Sequence, residues 1–240
     1  MLWTLSYIIF LFFSIGAAAT VRLNKRSDAE QSGARWVKYT FYLIVVIITI
    51  WCIWVGFTRY LAVGLLAIGA YEIISGWRAS RRNAPFGIVS IIIYLAIAFG
   101  FYRFSSQSSS EHVLYVYTIV FTFDGFAQLT GQLFGKRKIL PRISPDKTVA
   151  GVAGGYVMGA VVGFFVLRWL HMEGYATLFL PILICTGAFA GDVLASWYKR
   201  RCGLKDYSTL IPGHGGILDR YDSFIFAGAI FWLFYTHLPI

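Results

Sequence analysis

Residues 196–222 read SWYKRRCGLKDYSTLIPGHGGILDRYD. This is the most polar stretch of the chain. Lys199, Arg200, Arg201, Lys205 and Arg220 stand beside Asp206, Asp219 and Asp222, with His214, Gly215 and Gly216 among them. Apolar runs flank it, about Tyr175 to Trp197 before and about Ser223 to His237 after, and both read as membrane spans. The stretch is therefore a loop between two spans. Charges of both signs and flexible glycines in such a loop point to a site for phosphate groups and a metal ion.

The whole composition agrees with that setting. The chain is 58% hydrophobic, 18% aromatic and 13% charged, whereas a soluble domain is about 45–50% apolar and about 25% charged. At 240 residues there is room for about eight spans of roughly 20 residues and no separate soluble domain, so the membrane bundle carries the function. The formal charge of +10 would raise nucleic acid as a partner in a soluble protein; here loop charges that set membrane orientation account for it. Cys52, Cys185 and Cys202 show neither metal-type spacing nor a disulfide framework. The first apolar run is read as a retained span, Ala17 to Ala19 being a weak candidate for a cleavage site.

Eight spans follow in order. They lie at about Trp3–Val21, Tyr39–Phe57, Tyr60–Trp77, Phe86–Tyr102, His112–Leu129, Val149–Leu170, Tyr175–Trp197 and Ser223–His237. The expected architecture is an all-α polytopic bundle of about eight transmembrane helices. Residues 1–110 form an N-terminal part of about four spans, and residues 111–240 form the part that carries the polar motifs. Loops after the first, third, fifth and seventh spans hold 5, 3, 5 and 5 Lys or Arg, and the opposite side holds only Arg59, Arg103 and Arg168. That asymmetry puts the basic loops in the cytoplasm. The expected location is the inner, cytoplasmic membrane.

Three acids interrupt the apolar spans: Glu72, Asp124 and Asp192. A carboxylate in the bilayer costs a few kcal/mol on insertion scales, so it needs a partner or a cavity. All three lie near the cytoplasmic ends of their spans and could share a cavity; alternatively, Glu72 pairs with the nearby Arg78. A second basic loop, residues 131–151, reads GQLFGKRKILPRISPDKTVAG. Its Lys136, Arg137, Lys138, Arg142 and Lys147 could neutralise a polyphosphate. Ser144, Thr148 and the amides around Gly151 and Gly154–Gly155 could bind phosphate oxygens at the start of the sixth span. The plainer reading is that these charges set topology beside anionic headgroups. The loop has no Walker A pattern. Asp192, Asp219 and Asp222 supply the hard oxygen ligands that Mg²⁺ takes together with substrate phosphates. His214 is a base or, more simply, a hydrogen-bonding group.

Taken together, these residues resemble the signature of the phosphatidate cytidylyltransferases, or CDP-diacylglycerol synthases. Ser196, Lys199-Arg200, Lys205-Asp206, Ser208, Pro212, His214-Gly215-Gly216, Asp219-Arg220 and Asp222 fall at the spacing of that signature. Asp124, Gly131, Phe134-Gly135-Lys136, Ser144-Pro145, Lys147-Thr148 and Gly151 look like the family's second motif, and Gly191-Asp192 looks like the Gly-Asp before the signature. The likeness covers about Asp124 to Asp222; the first four spans match only in being hydrophobic.

The resemblance implies transfer of the cytidylyl group of CTP to phosphatidate, giving CDP-diacylglycerol and pyrophosphate. It implies Asp124, Asp192, Lys205 and Asp219 as the catalytic set, with Asp192 and Asp219 holding Mg²⁺, alone or with a second cation. Lys136, Ser144, Lys147, Thr148, Ser196, Lys199, Arg200, His214, Gly215, Gly216, Arg220 and Asp222 would bind substrate. CTP, phosphatidate or a related lipid phosphate, and membrane lipids are the implied partners; nucleic acid is not one, and a homodimer is expected by resemblance only. Four positions depart from the pattern. Tyr198 and Tyr221 replace aliphatic or Phe residues, and Ala150 and Ala195 stand where the motifs carry glutamates. A CTP-dependent transferase or kinase for another lipid, such as a polyprenol or isoprenoid ether phosphate, remains an alternative, as does a non-catalytic relative or a transporter. A transporter should show inverted repeats with broken spans, and none is visible.

Overall fold

A computed structural model describes residues 29–80, 82–169, 175–211 and 215–235, with residues 10, 13, 14, 17 and 21 ahead of them. Among these residues the chain forms seven helices: α1 (Ala29–Trp54), α2 (Thr58–Ala79), α3 (Ala84–Gln107), α4 (Ser110–Phe134), α5 (Val149–Trp169), α6 (Tyr175–Arg201) and α7 (Leu218–Tyr235). They overlap the second to eighth expected spans, but α1 begins ten residues before its expected span, and the stretch 196–222 is not all loop: residues 196–201 end α6 and residues 218–222 begin α7, because helix geometry continues past the apolar run into the charged residues. Most of the first expected span lies outside the described residues.

Five of the helices (α2, α3, α4, and α5 and α6 over 149–168 and 179–201) are long and apolar enough to cross a membrane, and Tyr39–Trp54 within α1 is a shorter apolar helix. Ile44, Trp51, Tyr60, Ile92, Leu95 and Phe165 are exposed on their surfaces, as suits side chains that face lipid rather than water. The protein is a helical, multi-pass membrane protein.

The helix starts follow from local chemistry. Asn83 caps α3 by accepting the Phe86 amide at 3.2 Å, with Pro85 in the first turn, where its missing N–H is no loss. Ser109 caps α4 in the same way through the His112 amide. Helix α4 is the centre of the bundle: every residue from Val113 to Phe123 is buried, and it packs against α1, α5, α6 and α7. Its closest neighbour is α5, which presents Gly151, Gly155, Gly159 and Gly163 at four-residue spacing. A Cβ at 151 would strike the Ala127 carbonyl, one at 155 the Phe123 carbonyl, and one at 163 the ring of Pro181 in α6. Small residues at this spacing let helix backbones approach where no hydrophobic effect drives them together.

One departure from a wholly helical chain lies between α4 and α5. Two short antiparallel strands, β1 (Lys138–Leu140) and β2 (Ser144–Thr148), pair Lys138 with Thr148 and Leu140 with Ser144. Pro141 and Pro145 bar a helix here, and the hairpin turns the second basic loop into a folded platform.

Candidate active site

Three helices each bring one carboxylate to the same end of the bundle: Asp124 from α4, Asp192 from α6 and Asp222 from the first turns of α7. Their charges act on one another, and Lys147, Lys199 and Arg220 act on them as counter-charges. Asp222 accepts its neighbour's amide, Ser223 N, at 2.7 Å. In a low-dielectric setting such acids hold together only if cations stand close.

Two ion pairs supply that closeness. Lys147, on β2, pairs with Asp192, and its Nζ also lies 5.2 Å from the centre of the Phe189 ring. Ser196, one turn beyond Asp192 on α6, donates to Asp192 Oδ1 at 3.2 Å. Lys199 donates to Asp219 Oδ1 at 2.5 Å in a nearly dry pair, with side-chain exposures of 11% and 1%. Asp219 Oδ2 accepts the amides of Tyr207 and Gly216, each at 2.8 Å. The Asp219 carboxylate thus ties the loop to the first turn of α7, where an acid suits the helix dipole. Lys199 Nζ also lies 5.2 Å from the centre of the Tyr207 ring. Burial pushes the Tyr207 phenol well above its ordinary range, so it presents a neutral ring to that cation.

The loop turns at Gly215, whose φ of +81° is a left-handed conformation that a side chain would strain. Ile211 N donates to Gly215 O at 2.8 Å and closes the turn. His214 lies outside the described residues. The expected use of the Gly216 amide for phosphate is not open in this arrangement, because Asp219 already holds it. Thr148 is likewise engaged: it is buried, and its hydroxyl caps α5 by accepting the Gly151 amide at 3.1 Å. Gly151 and Gly155 serve helix contact, and a Cβ at Gly154 would strike the Thr130 side chain. Ser144 begins β2 and is half-buried, whereas Lys136, Arg200, Lys205 and Arg220 are exposed on the same end of the molecule. Arg200 joins the two loops by donating to Ile143 O at 3.2 Å.

Glu72 neither pairs with Arg78 nor joins the other acids. It is fully buried on α2 and binds the signature loop: Oε1 accepts from Ser208 Oγ at 2.6 Å and Ile217 N at 3.0 Å, and Oε2 from Leu218 N at 2.8 Å. The two unusual tyrosines also reach the N-terminal helices. Tyr198 donates to Ile73 O on α2 at 2.6 Å, and Tyr221 shares a hydrogen bond with Thr49 on α1 at 2.6 Å. An apolar pocket opens between α2, α3, α6 and α7. Ile73, Tyr94, Leu194, Ala195 and Ile225 line it, and Asp222 stands in its wall. Ala195 therefore extends an apolar surface where a glutamate would have added a charge.

Among the described residues no three acids, histidines or cysteines lie close enough to hold a metal by themselves. Mg²⁺ is commonly held by one or two carboxylates completed by phosphates; here Asp192 is engaged by Lys147, and Asp219 by Lys199 and two amides.

A sequence model described as the Cytidylyltransferase family matches residues 1–238. The chain is similar to the phosphatidate cytidylyltransferase of Staphylococcus haemolyticus, at 35% identity over 159 residues, covering 65% of this chain and 61% of the relative. The Staphylococcus epidermidis protein of the same name is 35% identical over 169 residues, covering 68% of this chain and 65% of the relative. The Staphylococcus aureus protein is again 35% identical, over 159 residues, with 65% and 61% covered. The chain thus spans less than two thirds of the length of these relatives.

Proposed function

The chain belongs to the cytidylyltransferase family, and from that premise we propose that it transfers the cytidylyl group of CTP to phosphatidate, forming CDP-diacylglycerol and releasing pyrophosphate. The observation that carries this reading is the meeting of the two polar loops. Lys147 of the hairpin pairs with Asp192, Lys199 pairs with Asp219, and Arg200 joins the two polar stretches through Ile143 O. The names of the similar staphylococcal proteins support the same activity.

A phosphate oxygen of the lipid attacks the α-phosphorus of CTP. The new P–O bond forms as the bond to the pyrophosphate oxygen breaks. Because the lipid phosphate is already ionised at neutral pH, no strong base is required, and His214 needs only to donate a hydrogen bond. The physical difficulty is that two anions must meet in a low-dielectric site and a third must leave. Lys147, Lys199, Arg220, Lys205 and Arg200 supply the positive charge for this. Mg²⁺, held by Asp192 and Asp219, would neutralise the triphosphate and the leaving group. Asp124 and Asp222 complete the acidic wall, and Ser196 keeps Asp192 oriented.

In this reading the basic loops and the site face the cytoplasm across the inner membrane, and residues 1–110 support a catalytic region of residues 111–240. The apolar pocket beside Asp222 takes part of the lipid's hydrocarbon. Ala195 in its wall favours, as second reading, an acceptor with a different hydrocarbon portion, such as a polyprenol or isoprenoid ether phosphate.

The test uses purified protein in detergent with Mg²⁺ and CTP radiolabelled at the α-phosphorus, offered phosphatidate or the alternative acceptors. Label entering phosphatidate supports the proposal. Label entering only another lipid phosphate moves the substrate, and label that enters lipid only from the γ-position makes the protein a kinase. No incorporation from either position, with CTP still bound, refutes enzymatic transfer.

A further inference from the structure

We infer that Glu72 is a positioning residue for the reaction: from α2 it fixes the loop of residues 207–218 and thereby the placement of Lys199 and Asp219. The inference rests on the cytidylyl-transfer reading for its kinetic consequence, but its geometry stands apart from it and concerns residues 207–211 and 215–218 of that loop. A carboxylate with no exposed surface on an apolar helix is stable only if its oxygens are satisfied. Glu72 meets that condition with three donors, all from one loop: Ser208 Oγ, Ile217 N and Leu218 N. Ile217 and Leu218 stand at the start of α7, where amides lack intrahelical partners and the helix dipole favours a negative charge. Asp219 takes the adjacent Gly216 amide and the Tyr207 amide.

Two carboxylates therefore divide the loop between them. Asp219 holds its inner edge and is in turn bound by Lys199; Glu72 holds its outer edge from another helix. Gly216 lies against both, and a Cβ there would collide with the Glu72 carboxylate. With the amides of residues 216–218 committed in this way, the start of α7 is not free to cradle a phosphate. Attraction of the triphosphate falls to the side chains of Lys199, Lys147 and Arg220, and Lys199 is placed by Asp219, which the held loop fixes through the Tyr207 and Gly216 amides.

The experiment compares Glu72→Gln, Glu72→Ala and Ser208→Ala with wild type. It uses hydrogen exchange of the peptides covering residues 207–218 together with steady-state kinetics of the full protein in detergent. The amide of E72Q keeps one oxygen acceptor but meets a donor with its nitrogen, so its effect lies between wild type and E72A. Loss of charge-assisted bonds of this kind predicts exchange in residues 207–218 faster by about tenfold or more in E72A. The KM for CTP rises by a similar factor while the KM for phosphatidate stays within about twofold. That split is what a general loosening of the bundle would not produce. Should E72A fail to fold, S208A removes one of the three bonds and carries the same test with a smaller effect. Unchanged exchange in residues 207–218, loss of protection spread over all helices, or equal shifts in both KM values would overturn the inference. A wild-type protein that labels no lipid would refute the proposed activity instead, and the exchange comparison would then decide Glu72 alone.

Discussion

Substituting Asp219 by Asn separates the structural work of this residue from its chemical work. The Lys199–Asp219 pair is nearly dry, at 11% and 1% side-chain exposure, so solvent does little to screen it. Removing one partner of a buried pair costs about 3–5 kcal/mol, because the other charge is left without compensation. Asn retains one oxygen for the Tyr207 and Gly216 amides, so the loop keeps those bonds in weaker, uncharged form. At about 2–4 °C per kcal/mol for a chain of this size, the D219N protein should melt about 6–20 °C below wild type. Lys199→Met should lose a similar amount. The double variant removes both charges and should lose less than either single variant, so the coupling energy should exceed about 3–5 kcal/mol. All three variants should be inactive. The assay is thermal denaturation in detergent with a chelator present, so that no divalent ion contributes. A D219N protein that melts with wild type under chelation would refute the reasoning. So would a double variant whose loss equals the sum of the single losses.

Thr148→Val removes the cap on the Gly151 amide, which should cost about 1 kcal/mol in denaturation midpoint while leaving the KM for CTP unchanged; a raised KM would instead place the hydroxyl on substrate. Tyr221→Phe breaks the 2.6 Å bond to Thr49, whose hydroxyl keeps its bond to Val45 O at 2.7 Å, so the expected loss is about 1 kcal/mol with full turnover, read by melting and label incorporation. Chelating divalent cations should weaken CTP binding by at least about tenfold, and by linkage CTP should tighten Mg²⁺ binding by the same factor. Calorimetry in both directions measures this, and equal CTP affinity with and without Mg²⁺ would argue against a metal shared through the triphosphate.

Much of this arrangement was legible in the chain. The apolar runs marked seven described helices, of which five are long and apolar enough by themselves to cross a membrane. The spacing within residues 196–222 showed the charges, but only residues 202–217 join two helices; Ser196, Lys199, Arg200, Asp219, Arg220 and Asp222 stand on helix ends. The pairings were harder to read. Asp219 and Lys199 each read as a substrate or metal ligand, and nothing in their spacing says that they bind each other first. Thr148 read as a phosphate contact, although a Thr three residues before a glycine at a helix start is equally a cap. Gly151 and Gly155 suggested phosphate binding because they follow a basic loop, whereas in the structure they stand in a four-residue repeat that continues to Gly163 and serves helix contact. Glu72 was the least legible. Its nearest sequence neighbours offered only Arg78, while its true partners lie more than a hundred residues away and are mostly backbone amides, which carry no side-chain signal. Tyr198 and Tyr221 stood out as departures from a pattern; their hydroxyls find partners on α2 and α1, contacts that depend on the fold of the helices with no motif.

These contacts explain how a mostly apolar chain can keep so many charges at one end. Asp124, Asp192 and Asp222 repel one another, and in the structure Lys147 and Lys199 offset that repulsion by closing on Asp192 and Asp219. In the proposed reaction the same lysines are needed on phosphate, and the same carboxylates on the divalent ion. Substrate entry is then an exchange of partners: each ammonium trades a carboxylate for a phosphate as each carboxylate trades an ammonium for a metal. No charge is left bare in a low-dielectric site, which would cost several kcal/mol. The exchange requires that the backbone hold still while the side chains move. The Tyr207 and Gly216 amides on Asp219 hold the loop from within, and Glu72 holds it from outside through contacts that the exchange does not touch. That independence is why a residue on α2, with no direct contact to either lysine, should set how well CTP binds.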